Sequence, residues 1–496
     1  MVGTVANLRV FVRFVTVLVV ASATHVALAQ SVSFSRSDID TGLPLSGGVV
    51  VGDFNGDGKP DLLIGVFPPS GIYLLPGNGD GTFGAPSQVF AGLSNGLAAA
   101  DVNADGKLDV LFTATDAEVW VLLGNGDGTF DQNFPIRSPG VASPRPPLVM
   151  DFNRDGRPDL AFADQGGGIS ILLGNGDGTF GAARNFPISG GVEANSLVAA
   201  DFNGDSILDL AASNTGPSPQ FADTVSVLIG NGDGTFGTPT DFIVGTYPFP
   251  LAAAHFNADD KVDLAVANYV SNSVSVLLGN GDGTFLQKTD FPVGPFPVGL
   301  ASADFNGDGK PDLAVGGGLP ELSILSGNGD GTFAAKQDFP SASGTQTLTV
   351  GDLNSDGRPD AIVVYFAGNS ILSVFLNTSV VDSTPPVITV FTNPVTLWPP
   401  NGKLVPVIVS GTINDAGSGV NAATAHYSVK DEYGLIQPSG TIHLGPGGTY
   451  SFVVLLQAAR RGSDFNGRQY KTTVRAKDNA GNVGSKTVVV TVPHNH

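Results

Sequence analysis

One nine-residue acidic loop occurs seven times in this chain, at intervals of 48 to 54 residues. It reads DFNGDGKPD from Asp53, DVNADGKLD from Asp101, DFNRDGRPD from Asp151 and DFNGDSILD from Asp201. It continues as HFNADDKVD from His255, DFNGDGKPD from Asp304 and DLNSDGRPD from Asp352. A period near fifty residues with strand-like flanks demands a repeat architecture, in which each unit buries its apolar face against the next. The loop also gathers several oxygen ligands within nine residues, which is the chemistry of a hard cation such as calcium.

The second repeat serves as the specimen. An apolar run over Gly96–Val102 reads as a strand, the loop follows, and Leu108–Thr113 reads as a second strand. A turn near Asp116 leads to a third strand over Val119–Leu123, then the turn Gly124-Asn125-Gly126-Asp127-Gly128, and Thr129-Phe130 opens a fourth. Four short strands in about fifty residues make one propeller blade. The turn motif GNGDGTF recurs at Gly77, Gly124, Gly174, Gly230, Gly279 and Gly327, six times against seven loops. The last repeat stops after its third strand, Ile371–Leu376, whereas Val32-Ser33-Phe34 resembles the opening of a fourth. The N-terminal strand is therefore expected to complete the last blade and remove the unpaired seam. In such a meander the acidic loops and the GNGDGTF turns share one face. The opposite face carries the variable connections, among them Arg137–Pro147, Asn214–Thr224 and Thr246–Pro250, where binding is expected.

The pattern ends after Asn377. Residues 378–386 form a polar, proline-ended linker, and 387–496 hold alternating runs over 405–413, 424–429, 450–456, 470–476 and 486–492. Short strands at that density favour an immunoglobulin-like sandwich. At the other end, Arg9 and Arg13, an apolar run over 14–23 and the small residues Ala27 and Ala29 read as a signal peptide over 1–29. The apolar run is shorter than the ~20 residues a spanning helix needs. Residues 30–377 are then the repeat domain of an exported chain, secreted or held at the cell surface. No other segment could span a bilayer.

The formal charge of −21 is largely local, since 27 of the 45 acidic residues lie in the loops and turns. It reads as metal sites, and with no basic stripe nucleic acid is excluded as a partner. The absence of cysteine excludes disulfides and cysteine-based zinc sites. Within a loop, positions 1, 3, 5 and 9 offer side-chain oxygens, position 7 offers its carbonyl, and glycine at position 6 permits the sharp turn. The candidate ligands are Asp53, Asn55, Asp57, Lys59 and Asp61, then Asp101, Asn103, Asp105, Lys107 and Asp109. They continue with Asp151, Asn153, Asp155, Arg157 and Asp159, and with Asp201, Asn203, Asp205, Ile207 and Asp209. The fifth loop offers Asn257, Asp259, Lys261 and Asp263. The last two offer Asp304, Asn306, Asp308, Lys310 and Asp312, and Asp352, Asn354, Asp356, Arg358 and Asp360. His255 and Asp260 break the pattern, so the seventh site, at residues 255–263, is expected to be weakened or empty. A zinc role for His255 is the less favoured alternative. Ser206 in place of glycine strains the fourth loop without destroying it.

The run Gly79–Gly84 matches GxGxxG but opens no helix, so a dinucleotide reading is rejected. Asp80 and its counterparts read as turn residues. Tyr73 and Trp120, at equivalent third-strand positions, fit inter-blade packing better than sugar stacking. No nucleophile–histidine–acid set stands out. Asp116, Glu118, Asp164, Glu193, Asp223 and Glu321 could supply a carboxylate pair for glycan chemistry, though nothing in their spacing demands it.

On the DxNxDGxxD loops and GNGDGTF turns, residues 31 to about 380 resemble the FG-GAP/VCBS repeats, a family that includes the propeller of integrin α subunits. The resemblance implies an all-β chain with a seven-bladed β-propeller and calcium in the blade loops. The tail segments Leu397–Lys403 and Ala476–Asn482 resemble bacterial Ig-like modules. The expectation is a monomeric, calcium-binding propeller with about six occupied sites, acting as a binding or adhesion module for a glycan or an extracellular protein. An extracellular polysaccharide lyase or hydrolase using the variable face is the rival, and a structural spacer is the second.

Overall fold

The computed structural model describes residues 31–494 except 67–69, 93, 95, 114–117, 133–135, 138–144, 165–167, 189–192, 216–222, 366–369, 381, 383, 416–417, 436 and 462–466. The expected signal peptide and Asp116 lie outside the described residues, as do parts of the 137–147 and 214–224 connections. The chain divides into two compact units, with the break after Asp382.

The N-terminal unit is propeller-like. Its described strands form seven antiparallel sheets, six of four strands and one of five. The first is typical, with strands Leu45–Gly52, Asp61–Val66, Gly71–Leu75 and Ser87–Phe90 in that order. Its second strand is buried along its whole length. Both of its faces are covered by neighbouring sheets, which is why DLLIGV reads as a continuous apolar run rather than an alternation. In the second sheet the expected fourth strand is two short pieces, Phe130–Gln132 and Ile136–Arg137, and both pair with Glu118–Gly124.

The last sheet takes Thr345–Gly351, Asp360–Tyr365 and Ile371–Asn377 from the end of the repeats. Its fourth strand is Phe34–Asp40, antiparallel to the third, with Phe34 opposite Asn377 and Asp40 opposite Ile371. The chemistry of the join repeats that of the other sheets. In the fourth, fifth and sixth sheets a third-strand serine donates to a fourth-strand aspartate at 2.6 Å: Ser226 to Asp241, Ser275 to Asp290 and Ser323 to Asp338. In the last sheet Ser373 donates to Asp38 of the N-terminal strand. Phe34 also meets Phe339, Phe305 and Phe375 edge-on, with centroids 4.9 to 5.9 Å apart.

Apolar clusters lie between consecutive sheets. Phe54, Leu63 and Leu74 of the first repeat pack on Leu97, Val110 and Phe112 of the second. Leu45, Ile64 and Leu75 of the first also pack on Leu353, Ile362 and Val374 of the last. The first sheet thus has a neighbour on each side, one from each end of the repeat array.

The C-terminal unit is a pair of sheets around one core. One holds Val387–Asn393, Leu404–Asn414 and Thr449–Gln457, and the other Ser439–Thr441, Val420–Asp431, Arg468–Asp478 and Val483–Val492. Val407, Val409, Leu456, Val474 and Val490 are among its buried residues. Strands 387–393 and 439–441 were not among the alternating runs read from sequence. Within this core Arg468 pairs with Asp431, both essentially inaccessible, and lies between the Tyr433 and Tyr470 rings. Among the described residues no helix is long and apolar enough to cross a membrane.

Candidate metal loops and the opposite face

Each acidic loop folds back on its own side chains. Asp53 Oδ1 accepts from the Gly56 and Asp57 amides at 2.8 and 3.1 Å, and Oδ2 from the Gly58 amide at 2.9 Å. Asn55 Oδ1 accepts from the Asp57 amide at 2.9 Å, and Asp57 Oδ1 from the Lys59 amide at 3.0 Å. These short-range bonds are what aspartate and asparagine offer a turn. Bonds from the fifth and sixth amides to the first aspartate recur at Asp101, Asp151, Asp201, Asp304 and Asp352. Six loops therefore fold the oxygens of positions 1, 3 and 5 into the loop in the same way. Lysine or arginine at position 7 approaches the position-5 carboxylate, as Lys59 does to Asp57 at 3.7 Å and Lys310 to Asp308 at 3.3 Å. The Lys59–Asp57 pair is exposed and weak, whereas Lys310–Asp308 is largely shielded from solvent.

Position 9 is different. Asp61 is fully buried; its Oδ2 accepts from the Phe54 amide at 3.0 Å and its Oδ1 from the Gly77 amide at 2.7 Å. Every loop repeats this clamp, through Asp109, Asp159, Asp209, Asp263, Asp312 and Asp360. In the first six sheets the clamp ties the loop to the GNGDGTF turn of its own sheet, and in the last the Asn377 amide takes that place. Gly77 must be glycine there, because a Cβ would lie 1.9 Å from the Pro60 carbonyl oxygen. Burial pushes all seven of these carboxyls up, Asp312 to about 7 and Asp360 to about 6, against the backbone amides that favour ionisation.

The turn of each following sheet docks on the loop before it. The Gly128 amide donates to Phe54 O at 3.0 Å, and Gly283 to Phe202 O and Gly331 to Phe256 O at 2.9 Å. The sixth loop faces a sheet with no such turn, and there Asn377 Nδ2 donates to Phe305 O at 2.9 Å. Loops and turns therefore share one face. Asp80 Oδ1 accepts from the Thr82 amide and hydroxyl at 3.0 and 2.6 Å, so the aspartate of the turn is spent on the turn. Position 2 of the loop, Phe54, Val102, Phe152, Phe202, Phe256, Phe305 and Leu353, is buried between sheets. Sequence reading passed over this role, although an apolar residue stands there in all seven copies.

The two irregular loops differ in degree. Ser206 keeps the fold of its neighbours with φ of +64°, a region that disfavours side chains. In the fifth loop the His255 ring nitrogen Nδ1 lies 2.9 Å from the Lys261 carbonyl oxygen. The imidazole thus replaces one oxygen donor and engages a second, the position-7 carbonyl.

In no loop do the three carboxylates all come within 4.8 Å of one another; the position-9 group is turned to the amides at the loop's base. Among the described residues one small all-aspartate cluster can hold a metal ion, and it includes Asp415 and Asp478 of the C-terminal unit, not loop residues. Asp478 also ties its own turn through Asn482. The loops nonetheless fit a hard cation by donor chemistry, since positions 1, 3, 5 and 7 supply oxygen alone.

On the opposite face, Trp120 stacks on Phe112 at 6.1 Å and Tyr73 packs against the core joining the first and last sheets. Two of the outlying carboxylates are structural ties: Asp223 accepts from Thr246 Oγ1 and the Tyr247 amide, and Glu321 meets Lys336 at 3.3 Å.

A model of the FG-GAP-like repeat matches residues 53–112, 101–162, 151–212, 255–315 and 316–363, together more than half of the chain. No curated protein matches the sequence. Solved structures that match include two crystal structures of BBS1N in complex with ARL6DN, one soaked with mercury and one with lead. Both are 11% identical; they cover 72% and 70% of this chain and 100% and 97% of those chains, with TM-scores of 0.52 and 0.50. At that identity the likeness concerns the fold alone.

Proposed function

This chain belongs to the FG-GAP-like repeat family, and from that membership we propose that it is an exported, calcium-binding propeller that acts as a binding or adhesion module. Its ligand is a glycan or a surface protein. The ring is a closed seven-bladed propeller, followed by an Ig-like module. The pairing of Phe34–Asp40 with Ile371–Asn377 supports closure, as does the apolar cluster between the first and last sheets.

Calcium is held in the six loops that begin with aspartate. The observation that carries this is the sixfold repetition of the same inward-folded oxygens at positions 1, 3 and 5. In this reading Asp53, Asn55, Asp57 and the Lys59 carbonyl would hold the ion in the first loop, with equivalents in five others. The ion neutralises carboxylates that otherwise repel one another, and stiffens a cysteine-free ring. The loops are then staples, and recognition belongs to the variable face. That a protein of similar fold, BBS1N, is found in complex with ARL6DN fits a partner-binding role in general. A glycan array and a surface-protein binding screen, run on the calcium-loaded full chain, test the reading. Saturable binding without turnover supports it. Turnover of a polysaccharide would replace it with the enzyme, and silence in both screens with the spacer.

A further inference from the structure

The face away from the acidic loops holds a cavity of about 430 Å³, of mixed polar and apolar lining, among the N-terminal ends of the innermost strands. Arg145, Asn195, Ser196, Phe249, Gln346 and Thr347 line it, drawn from four different sheets. Arg145 is the informative group. Its Nη2 donates to Asn195 Oδ1 at 2.7 Å, and its guanidinium lies 5.6 Å from the Phe249 ring centroid. Asn195 is itself buried and fixed by a 2.6 Å bond from its Nδ2 to Thr215 Oγ1. Arg145 Nε is buried without a partner, and no carboxylate among the described residues comes within 4.0 Å of the guanidinium. A half-buried cation paired only with an amide and a ring is incompletely satisfied, and an anion reaching its terminal nitrogens would complete it. Burial accordingly holds its pKa below the ordinary guanidinium value, with Tyr247 and Glu193 acting the other way from a greater distance.

An aromatic rim adjoins the lining in sequence, Tyr247 and Phe296 each standing two residues before a lining residue, Phe249 and Val298. Tyr247 and Tyr269 have ring centroids 5.7 Å apart, and Tyr269 and Phe296 5.0 Å. Phe296 is 49% exposed. Tyr247 and Phe296 both adopt left-handed backbone, with φ of +58° and +54°. Bulky residues there are strained, and they persist only when the surroundings hold them. Bonds from the Phe296 amide to Asn272 Oδ1 at 3.0 Å and from the Tyr247 amide to Asp223 Oδ1 at 3.3 Å do so. The half of the Phe296 ring left in solvent is free to take a ligand.

We propose that this cavity and its rim bind an acidic saccharide, with a uronate carboxylate on Arg145 and a sugar face on the Tyr247–Tyr269–Phe296 rings. The proposal rests on the glycan arm of the reading above. A guanidinium fork matches a carboxylate bidentately, the amide and hydroxyl groups of Asn195, Ser196, Gln346 and Thr347 suit sugar hydroxyls, and the exposed Phe296 ring, flanked by half-buried Tyr269 and Tyr247, suits the apolar face of a pyranose. A saccharide is favoured over an acidic peptide because aromatic faces stand close in sequence to the guanidinium cavity. With a chain charge of −21 the attraction is local, so selectivity lies in Arg145 rather than in long-range steering.

The test is calorimetric titration of the calcium-loaded full chain with a hyaluronan hexasaccharide and with its carboxyl-reduced form. The acidic form should bind at least about tenfold tighter, a difference that is about 1.4 kcal/mol. Arg145→Gln and Arg145→Lys should both erase that preference, the lysine because it keeps the charge but loses the fork. Phe296→Ala, at an exposed position, should weaken both forms, and unchanged melting of each variant separates lost contact from lost fold. Equal binding of the two forms, or a preference that survives Arg145→Gln, overturns the assignment to Arg145 while leaving glycan recognition standing. Binding of an acidic peptide with no saccharide binding overturns both the saccharide assignment and the glycan arm.

Discussion

Removing calcium should make the propeller unit lose stability as pH rises from 5 to 8, and Asp312 should carry much of the loss. Its carboxyl is fully buried, accepts from the Phe305 and Gly327 amides, and is pushed by burial up to about 7 from 3.8. The folded state therefore holds a proton that the unfolded chain has already released above pH 4. A group of this kind stabilises fully below its unfolded pKa, and the contribution is lost as pH climbs to the folded one. Between pH 5 and 7 that is two pH units at about 1.4 kcal/mol each, or about 3 kcal/mol from Asp312 alone. Asp360, raised to about 6, acts in the same direction over the lower part of the range. The turn aspartates such as Asp80 are held below the ordinary carboxylate range by Thr82, so they are already ionised throughout this window. Calcium favours the ionised loop and should flatten or reverse the slope. The assay is urea unfolding of calcium-stripped and calcium-loaded protein at pH 5, 6, 7 and 8. Asp312→Asn costs stability at every pH, because an amide cannot accept from both backbone donors. It should also remove about 3 kcal/mol of the pH dependence. Metal-free stability that rises from pH 5 to 8, or an Asp312→Asn protein with the wild-type slope, would refute the reasoning.

Three further outcomes follow from the same geometry. Gly327→Ala places a Cβ 2.2 Å from the Pro311 carbonyl oxygen and disturbs the Gly327–Asp312 bond; a loss of about 2–3 kcal/mol in chemical unfolding is expected. Ser206→Gly relieves a side chain at φ +64° and should raise stability by about 1 kcal/mol, with tighter calcium binding at that loop. Phe34→Ala removes a ring that meets three others across the join of the two chain ends. It should cost about 2–4 kcal/mol and make amide exchange in residues 371–377 faster than in the equivalent strand Glu321–Leu325.

The repeat spacing made the sheets and the shared face of loops and turns legible before any coordinates. The missing fourth strand of the last repeat pointed to its donor, because a period that lacks one member must borrow it. Position 9 was legible as a carboxylate but not as a clamp: both of its oxygens serve backbone amides, and backbone leaves no trace in residue identity. The serine–aspartate pairs were hidden for a related reason. Ser226 and Asp241 are fifteen residues apart, and only the register of two strands brings them together. Arg145 was passed over because a single arginine in a variable connection carries no pattern; its significance lies in its bond to Asn195 and in the lack of a carboxylate partner among the described residues. Tyr247 lies within the Thr246–Pro250 connection, where the sequence places binding, whereas Tyr269 and Phe296 join it only through folding.

The central claim is that the acidic loops are calcium staples, and metal content tests it most directly. Full-length protein equilibrated with calcium and then exchanged into metal-free buffer should retain calcium approaching six ions per chain, one for each loop that begins with aspartate. Replacing the first aspartate of one loop, as in Asp304→Ala, should lower the count by one. Retention of none, or of a single ion that disappears with Asp478→Ala and not with any loop variant, would contradict it.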